Sequence, residues 1–152
     1  MEITDVTAYP VTIPYLGLDE GGVAPYVTNH NQVTESSRVV VRVDTDDGRT
    51  GWGEIRPFLG SMEVTVSIIE EGVGPIVAGH SPYEVEAFRR LFFIEYTNAD
   101  LFFAPVEMAC WDLVGKDVGR PVYELLGGWT APATTERRRD ADYAVAGEVP
   151  VA

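Results

Sequence analysis

The sequence is poor in the residues that most site chemistry requires. It has one cysteine, Cys110, one lysine, Lys116, and two histidines, His30 and His80. A single cysteine excludes a disulfide framework within the chain. Because Cys110 lies among apolar residues, we predict a buried, inert thiol and not a nucleophile. Charged residues interrupt every long apolar run, so the sequence predicts no membrane-spanning helix.

Basic residues are also scarce. The chain has 24 acidic residues against 11 lysines and arginines, and its formal net charge is −13 at pH 7. Such a charge disfavours binding to nucleic acids and to anionic membranes. Arginine almost completely replaces lysine, which favours a halophilic surface over that of an ordinary acidic protein. No basic leader precedes the first apolar segment, so we expect a cytoplasmic protein.

The apolar pattern predicts three strands followed by helices, which is typical of an α+β fold. The predicted strands are Ile3–Pro14, Arg38–Val43 and Thr50–Ile55, and Asp46-Asp47-Gly48 forms a hairpin turn between the second and the third. Residues 15–34 and 56–60 are predicted loops. We therefore expect a three-stranded antiparallel meander covered by a helical layer.

Three helical segments come after the strands. The first is capped by Ser61, runs to Glu71 and breaks near Gly74-Pro75. The second begins at Ser81-Pro82 and continues past Phe92. The third runs from Leu101 to Val118 and ends before Gly119 and Pro121. A loop over residues 97–100 joins the last two. After Gly128 no helix or strand period remains, so residues 129–152 are predicted to be a poorly ordered tail.

The third helix and the residues after it contain the most specific motif. The helix is apolar nearly all round, which predicts burial between layers, and Asp112 and Lys116 have the spacing of a helical ion pair. The segment resembles the end of the N-terminal capping domain of the mandelate racemase/muconate lactonizing enzymes, a branch of the enolase superfamily. The family pattern is A-x-W-D-x-x-G-K followed by G-x-P-V-x-x-L-L-G-G. The matching residues are Ala109, Trp111, Asp112, Gly115, Lys116, Gly119, Pro121, Val122, Leu125, Leu126, Gly127 and Gly128.

The resemblance covers roughly residues 2–128 and implies a capping domain over residues 1–128. Family members remove the proton beside a carboxylate, and Mg²⁺ bound to a barrel domain stabilises the resulting enediolate. Such a barrel needs roughly 200–250 residues, whereas 24 of the 152 residues come after Gly128. The resemblance therefore implies a truncated enzyme that is inactive alone, without catalytic residues, metal ligands or a cofactor of its own. The alternative is a non-catalytic module that pairs with a separately encoded barrel.

By the same resemblance, the loops 15–34 and 56–60 close over the barrel mouth and help to select the substrate. The candidate substrate-binding residues are Tyr15, His30, Arg56 and Phe58. Arg56 would bind a carboxylate in a bidentate manner, or else form a surface salt bridge with Glu54 or Glu63. Tyr15 and Phe58 would form an apolar wall, or else pack on the meander.

For His30 the alternative to substrate contact is a solvated loop. The implied partners are a small carboxylate or sugar-acid substrate and a barrel domain or a second copy of the chain. Racemase, cycloisomerase and sugar-acid dehydratase activities are not separable from these residues.

Overall fold

The computed structural model describes residues 1–15, 26–27, 32–33, 35–96 and 99–128, and the predicted tail 129–152 lies outside these ranges. The strands are β1 (Ile3–Pro14), β2 (Tyr26–Val27), β3 (Gln32–Val33), β4 (Glu35–Thr45) and β5 (Thr50–Ile55). Strands β1, β4 and β5 form an antiparallel sheet in the order β1-β4-β5, and β2 pairs with β3. The predicted meander is therefore confirmed.

Strands β1 and β5 have their predicted bounds, but β4 is longer than the predicted Arg38–Val43. Its first residues pair with the end of β1, from Val11 opposite Arg38 to Pro14 opposite Glu35. These residues form a two-stranded arm that extends past the end of β5. The prediction of loop 15–34 without strands was wrong, since it contains β2 and β3, each too short to produce a periodic pattern.

The helices are α1 (Met62–Ser67), α2 (Gly74–Val77), α3 (Val85–Ile94), α4 (Asp100–Val118) and α5 (Val122–Leu125), with a π-helical segment Ile68–Val73 between α1 and α2 and a 3₁₀ turn Pro82–Glu84 before α3. Ser61 caps α1 and Ser81 caps the 3₁₀ turn, as the sequence predicted, and Glu84 completes a capping box with Ser81. Gly119 ends α4 with a φ of 66°.

The predicted break near Gly74-Pro75 was wrong, because the helical path continues to Val77. Pro75 lies in the first turn of α2, where its missing N–H removes no hydrogen bond that the helix needs. In the preceding π-helical turn, Ile68–Val73, the backbone hydrogen bonds span five residues and not four, so the bonding pattern shifts by one residue just before the proline. A similar small difference occurs at Asp100, which was predicted in a loop and is the first residue of α4.

The core lies between the inner face of the sheet and helix α4. Its fully buried members include Ile3, Val39, Val41, Val43, Phe103, Val106, Ala109, Cys110 and Leu113. The ring of Phe103 stacks on Phe92 of α3 at 5.0 Å. Trp111 is partly buried and packs against this core. The long helix is thus apolar on most sides because it is covered by both the sheet and α3.

Helix α4 crosses β5 at very short distance, and two glycines make this possible. A Cβ atom at Gly51 would lie 2.2 Å from the carbonyl oxygen of Ala109, and one at Gly53 would lie 2.0 Å from that of Pro105. Both distances are shorter than any real Cβ contact. Glycine is therefore required at both positions by the approach of two backbones.

On each edge strand of the sheet, a carboxylate from a helical segment accepts a hydrogen bond from one backbone N–H. On β1, the Ala8 N–H donates to Glu70 of the π-helical segment at 2.8 Å. Pro10 and Pro14, on the same strand, have no N–H to leave unpaired. On β5, the Trp52 N–H donates to Asp112 at 3.0 Å. Unpaired strand edges invite association with other chains, and these contacts occupy one N–H of each edge strand.

Candidate functional site

The loop 56–60 lies where β5 ends and is held in a tight turn. The Gly60 N–H donates to the Pro57 carbonyl at 3.2 Å, and the Ser61 N–H donates to the Phe58 carbonyl at 3.0 Å. The Phe58 N–H donates to the hydroxyl of Thr65, a fully buried side chain, at 2.7 Å. The turn is therefore fixed to α1, and the side chains on it have a defined direction.

Arg56 has an exposed side chain at the base of this loop. The salt bridges with Glu54 or Glu63, considered above as the alternative to substrate binding, do not form among the described residues. Its guanidinium therefore remains available for an external anion. A guanidinium presents a planar pair of N–H groups that fits a carboxylate.

Phe58 contacts helix α4. Its ring meets that of Phe102 edge-on at 5.2 Å and keeps 37% of its surface exposed. The next residue, Leu59, is 89% exposed and has a φ of 51°. The sequence analysis missed Leu59, and no local signal indicates it, because a left-handed leucine is uncommon.

The structure does not bring Tyr15 next to this loop along the sheet. Pro10 and Ile55 both lie opposite Val39, so Tyr15 is five residues beyond the level of Ile55, which corresponds to roughly 17 Å of extended strand. Tyr15 is half-buried at the end of the arm, and His30 lies outside the described residues. Arg56 and Phe58 thus belong to the same turn. Tyr15 lies on a separate segment at the same end of the sheet.

The described part of the chain gives no evidence of a metal-binding cluster or of a reactive cysteine. No three His, Cys, Asp or Glu side chains there come together in a way that could hold a metal ion. The aspartates near the β4–β5 turn bind neighbours instead: Asp46 accepts from the Glu2 N–H and Asp47 from the Thr45 hydroxyl. Burial raises the pKa of the Cys110 thiol to about 12, so at neutral pH it is protonated and inert, as predicted.

Among the residues with a described position, none of the helices is long and apolar enough to cross a bilayer. The longest, α4 (Asp100–Val118), carries acidic residues and Lys116 along its 19 residues.

Comparisons with known proteins identify the same fold. Residues 18–127 match the family model described as mandelate racemase/muconate lactonizing enzyme, N-terminal domain. The cis-3-hydroxy-L-proline dehydratase of Roseibium aggregatum is 32% identical over 132 residues, which are 84% of this chain and 35% of that protein. The crystal structure of the N-succinyl Arg/Lys racemase of Bacillus cereus superposes with a TM-score of 0.73 at 25% identity and covers 86% of this chain and 35% of that one.

A muconate lactonizing enzyme from Mycobacterium smegmatis gives a TM-score of 0.66 at 30% identity, over 86% of this chain and 34% of that one. The chain spans about a third of the length of these relatives. Racemases, dehydratases and cycloisomerases therefore share this domain, and their remaining two thirds have no counterpart in these 152 residues. The chain belongs to the mandelate racemase/muconate lactonizing enzyme family and corresponds to its N-terminal domain.

Proposed function

We propose that residues 1–128 are the substrate-capping part of an enzyme that removes the proton beside a carboxylate. In this proposal the general base and the Mg²⁺ ligands belong to a barrel domain outside these 152 residues. The relatives support this assignment, because a dehydratase, a racemase and a lactonizing enzyme all carry the same domain. The substrate in this proposal is a small carboxylate or a sugar acid.

The main observation behind the proposal is that hydrogen bonds hold the turn 56–60 in one conformation. The turn carries three exposed side chains, those of Arg56, Phe58 and Leu59, within four consecutive residues. A guanidinium next to apolar groups binds a carboxylate more strongly once water is displaced, because the local dielectric constant falls. Tyr15 and His30 are proposed to contact substrate from the other loop.

The cap has no catalytic role of its own in this proposal. Its described residues do not fit a Mg²⁺ site, so we assign no reaction step to a metal bound by this chain. Its contribution is to bind one end of the substrate and to exclude water from the reacting atoms. The alternative, a module that pairs with a separately encoded barrel, uses the same surface and the same residues.

The first test is turnover by the purified 152-residue chain. We expect no Mg²⁺-dependent racemisation, dehydration or lactonisation of sugar acids, N-acyl amino acids or muconate. Turnover that depends on added Mg²⁺ and disappears with EDTA would contradict the proposal, since it would require a complete reaction centre in this chain.

The second test places the cap on a working barrel. The first third of the Roseibium aggregatum dehydratase, which aligns with this chain, is replaced by residues 1–128. In an active chimaera, we expect Arg56→Ala to raise KM for the substrate about tenfold, the loss of one charge-assisted contact worth about 1.4 kcal/mol. Arg89→Ala, an exposed arginine on α3, is the matched control and should leave KM unchanged. Equal effects of both variants would remove the case for Arg56.

A further inference from the structure

Thr65 of helix α1 is a polar side chain inside the core, and it is fully buried. Its hydroxyl group donates to the Ser61 carbonyl at 2.8 Å, which is an ordinary contact for a threonine in a helix. The same oxygen accepts the N–H of Phe58 at 2.7 Å. A hydroxyl group has one proton to donate and lone pairs that accept, so both contacts form together. One buried hydroxyl group therefore holds the turn 56–60 from inside the domain.

The residues of this turn do not favour its backbone conformation. Phe58 and Ser61 pair as an isolated β-bridge. Between them, Leu59 has a φ of 51° and Gly60 a φ of 77°. Two positive φ angles between paired residues are typical of a type I′ turn, in which asparagine, aspartate and glycine are preferred. Leucine at the first position is unfavourable because its Cβ lies too close to a backbone oxygen. Contacts from outside the turn must therefore stabilise it.

Leu59 does not offset this cost by packing. Its side chain is 89% exposed, so it buries little apolar surface in the core. An unfavourable backbone conformation without packing of its own points to a role other than stability. The residue immediately before it, Phe58, is held by the Thr65 hydroxyl group and by the ring of Phe102. The direction of the Leu59 side chain thus depends on contacts made by its neighbour.

We propose that Thr65, which lies outside the candidate site, is a positioning residue for substrate binding. This inference rests on the proposed function of the turn 56–60. The hydroxyl group keeps Arg56, Phe58 and Leu59 in the conformation that binds substrate, and it does not touch the substrate itself. Without this hydroxyl group, the Phe58 N–H binds water and the turn adopts several conformations. The apparent affinity then falls with the fraction of molecules that keep the binding conformation.

Two substitutions separate the hydroxyl group from the rest of the side chain. Thr65→Val removes the hydroxyl group and keeps the size of the side chain, whereas Thr65→Ser keeps the hydroxyl group. Thr65→Ala removes the same group with a better helix former, and it replaces the valine variant if that variant does not fold.

Thr45→Val is the matched control. Thr45 is 5% exposed, and its hydroxyl oxygen lies 2.7 Å from the Asp47 carboxylate and 3.0 Å from the Arg49 carbonyl. It holds the β4–β5 turn, at the opposite end of the sheet, by the same kind of contact. The same substitution there should therefore lower the melting temperature to a similar extent and leave the turn 56–60 unchanged.

Amide hydrogen exchange, followed by NMR on the 152-residue chain, tests the contact without any substrate. In the natural chain we expect the Phe58 amide to be protected at least about a hundredfold, because its partner is buried. Thr65→Val should reduce this protection about tenfold relative to the amides of β4, which report global opening. Thr65→Ser and Thr45→Val should not reduce it. An unprotected Phe58 amide in the natural chain overturns the proposal.

The active chimaera described above tests the consequence for binding. Thr65→Val should raise KM about tenfold and change kcat by less than about twofold, because the loss falls on binding and not on the reacting atoms. Thr65→Ser should restore KM, and Thr45→Val should leave it unchanged. An unchanged KM in Thr65→Val overturns the proposal, and so does an equal rise of KM in Thr45→Val.

Arg56→Ala in the same chimaera separates this inference from the proposed function. If Arg56→Ala raises KM and Thr65→Val does not, the inference about Thr65 is wrong and the proposed function stands. If both variants leave KM unchanged, the turn 56–60 does not bind substrate and both are wrong. A rise of KM in Thr65→Val that the serine variant reverses supports the inference.

Discussion

The Asp112 carboxylate accepts a hydrogen bond from the backbone N–H of Trp52 at 3.0 Å and so joins helix α4 to the free edge of β5. The predicted ion pair between Asp112 and Lys116 is confirmed at 2.8 Å, and the Lys116 ammonium also donates to the Thr50 carbonyl at 2.7 Å. The two side chains thus satisfy an N–H and a carbonyl of an edge strand together. The W-D-x-x-G-K motif therefore has a structural role in this domain.

Replacing Asp112 by alanine should lower the free energy of unfolding by about 1 kcal/mol, the typical value for a partly exposed hydrogen bond to a charged group. The loss arises because the Trp52 N–H and Lys116 both lose their partner. Urea unfolding followed by tryptophan fluorescence measures it. Glu71→Ala, at an exposed residue of the π-helical segment, is the control. An unchanged midpoint in Asp112→Ala would show that the contact contributes nothing.

Replacing Gly53 by alanine should cost more than about 2 kcal/mol or prevent folding, because overpacking against a backbone has no flexible side chain to relieve it. Its Cβ would lie 2.0 Å from the Pro105 carbonyl oxygen. Gly72→Ala is the matched control, since no atom lies within 4 Å of its Cβ position. That variant should be neutral or stabilising by up to about 1 kcal/mol, because alanine favours the helix. Thermal unfolding of both variants checks the contrast, and equal melting temperatures would contradict it.

The sequence predicted β1, β5 and α4 well, because each has a strong local signal, whereas the two-residue strands β2 and β3 have none. β1 was assigned from alternation alone, and the left-handed end of α4 from Gly119 followed by Pro121. The contact between β5 and α4 was not predictable, although the glycines at 51 and 53 indicate it once the structure is known. Nothing in a single sequence says which carbonyls these glycines approach.

The candidate site was predictable in part. The resemblance implied the loop 56–60, and Arg56 and Phe58 share its turn. Leu59 was missed because its exposure and its φ of 51° depend on how the turn is held. The turn is held by the hydrogen bond from the Phe58 N–H to Thr65, which lies seven residues further along the chain. The roles of Tyr15, His30, Arg56 and Phe58 in binding substrate stay predictions.

Cys110 makes the stability of the domain sensitive to alkaline pH. Burial raises the pKa of its thiol from 9.0 to about 12. Above pH 9 the unfolded chain releases this proton and the folded chain keeps it, so stability should fall between pH 9 and pH 12 by up to about 1.4 kcal/mol per pH unit. Cys110→Ala should reduce this slope in urea unfolding at pH 8 to 11, and the part that remains comes from groups such as Tyr83, whose pKa is raised by its contact with Asp117. The same slope in both proteins would contradict the assignment.

Asp117 gives the opposite dependence on the acid side. A hydrogen bond from the Tyr83 hydroxyl at 2.6 Å and a second from Arg49 lower the pKa of its carboxyl below 3.8. A lowered folded-state pKa means that the stabilisation is present above the unfolded value and is lost as pH falls through the folded one. Asp117→Asn should therefore be less stable than the natural chain at pH 7 and nearly equal to it at pH 2. A difference that stays constant with pH would argue against this ion pair, and Glu71→Gln is the control.

The acidic composition leads to a test of the halophilic surface. With a net charge of −13, self-repulsion should destabilise the domain at low salt, and screening should relieve it. We expect the melting temperature to rise by about 5 °C or more between about 0.1 M and 2 M KCl, roughly 1 kcal/mol for a domain of this size. An unchanged or lower melting temperature would favour the ordinary acidic protein.

The carboxylates at the two sides of the sheet limit how this domain can associate. Glu70 occupies an N–H of β1 and Asp112 an N–H of β5, so a foreign strand must displace a charged group before it can add to either strand there. Growth of the sheet into fibrils is correspondingly obstructed, even when the domain is concentrated. Lasting contacts must instead form through helices and loops, where side chains and not backbone groups decide which neighbour is accepted.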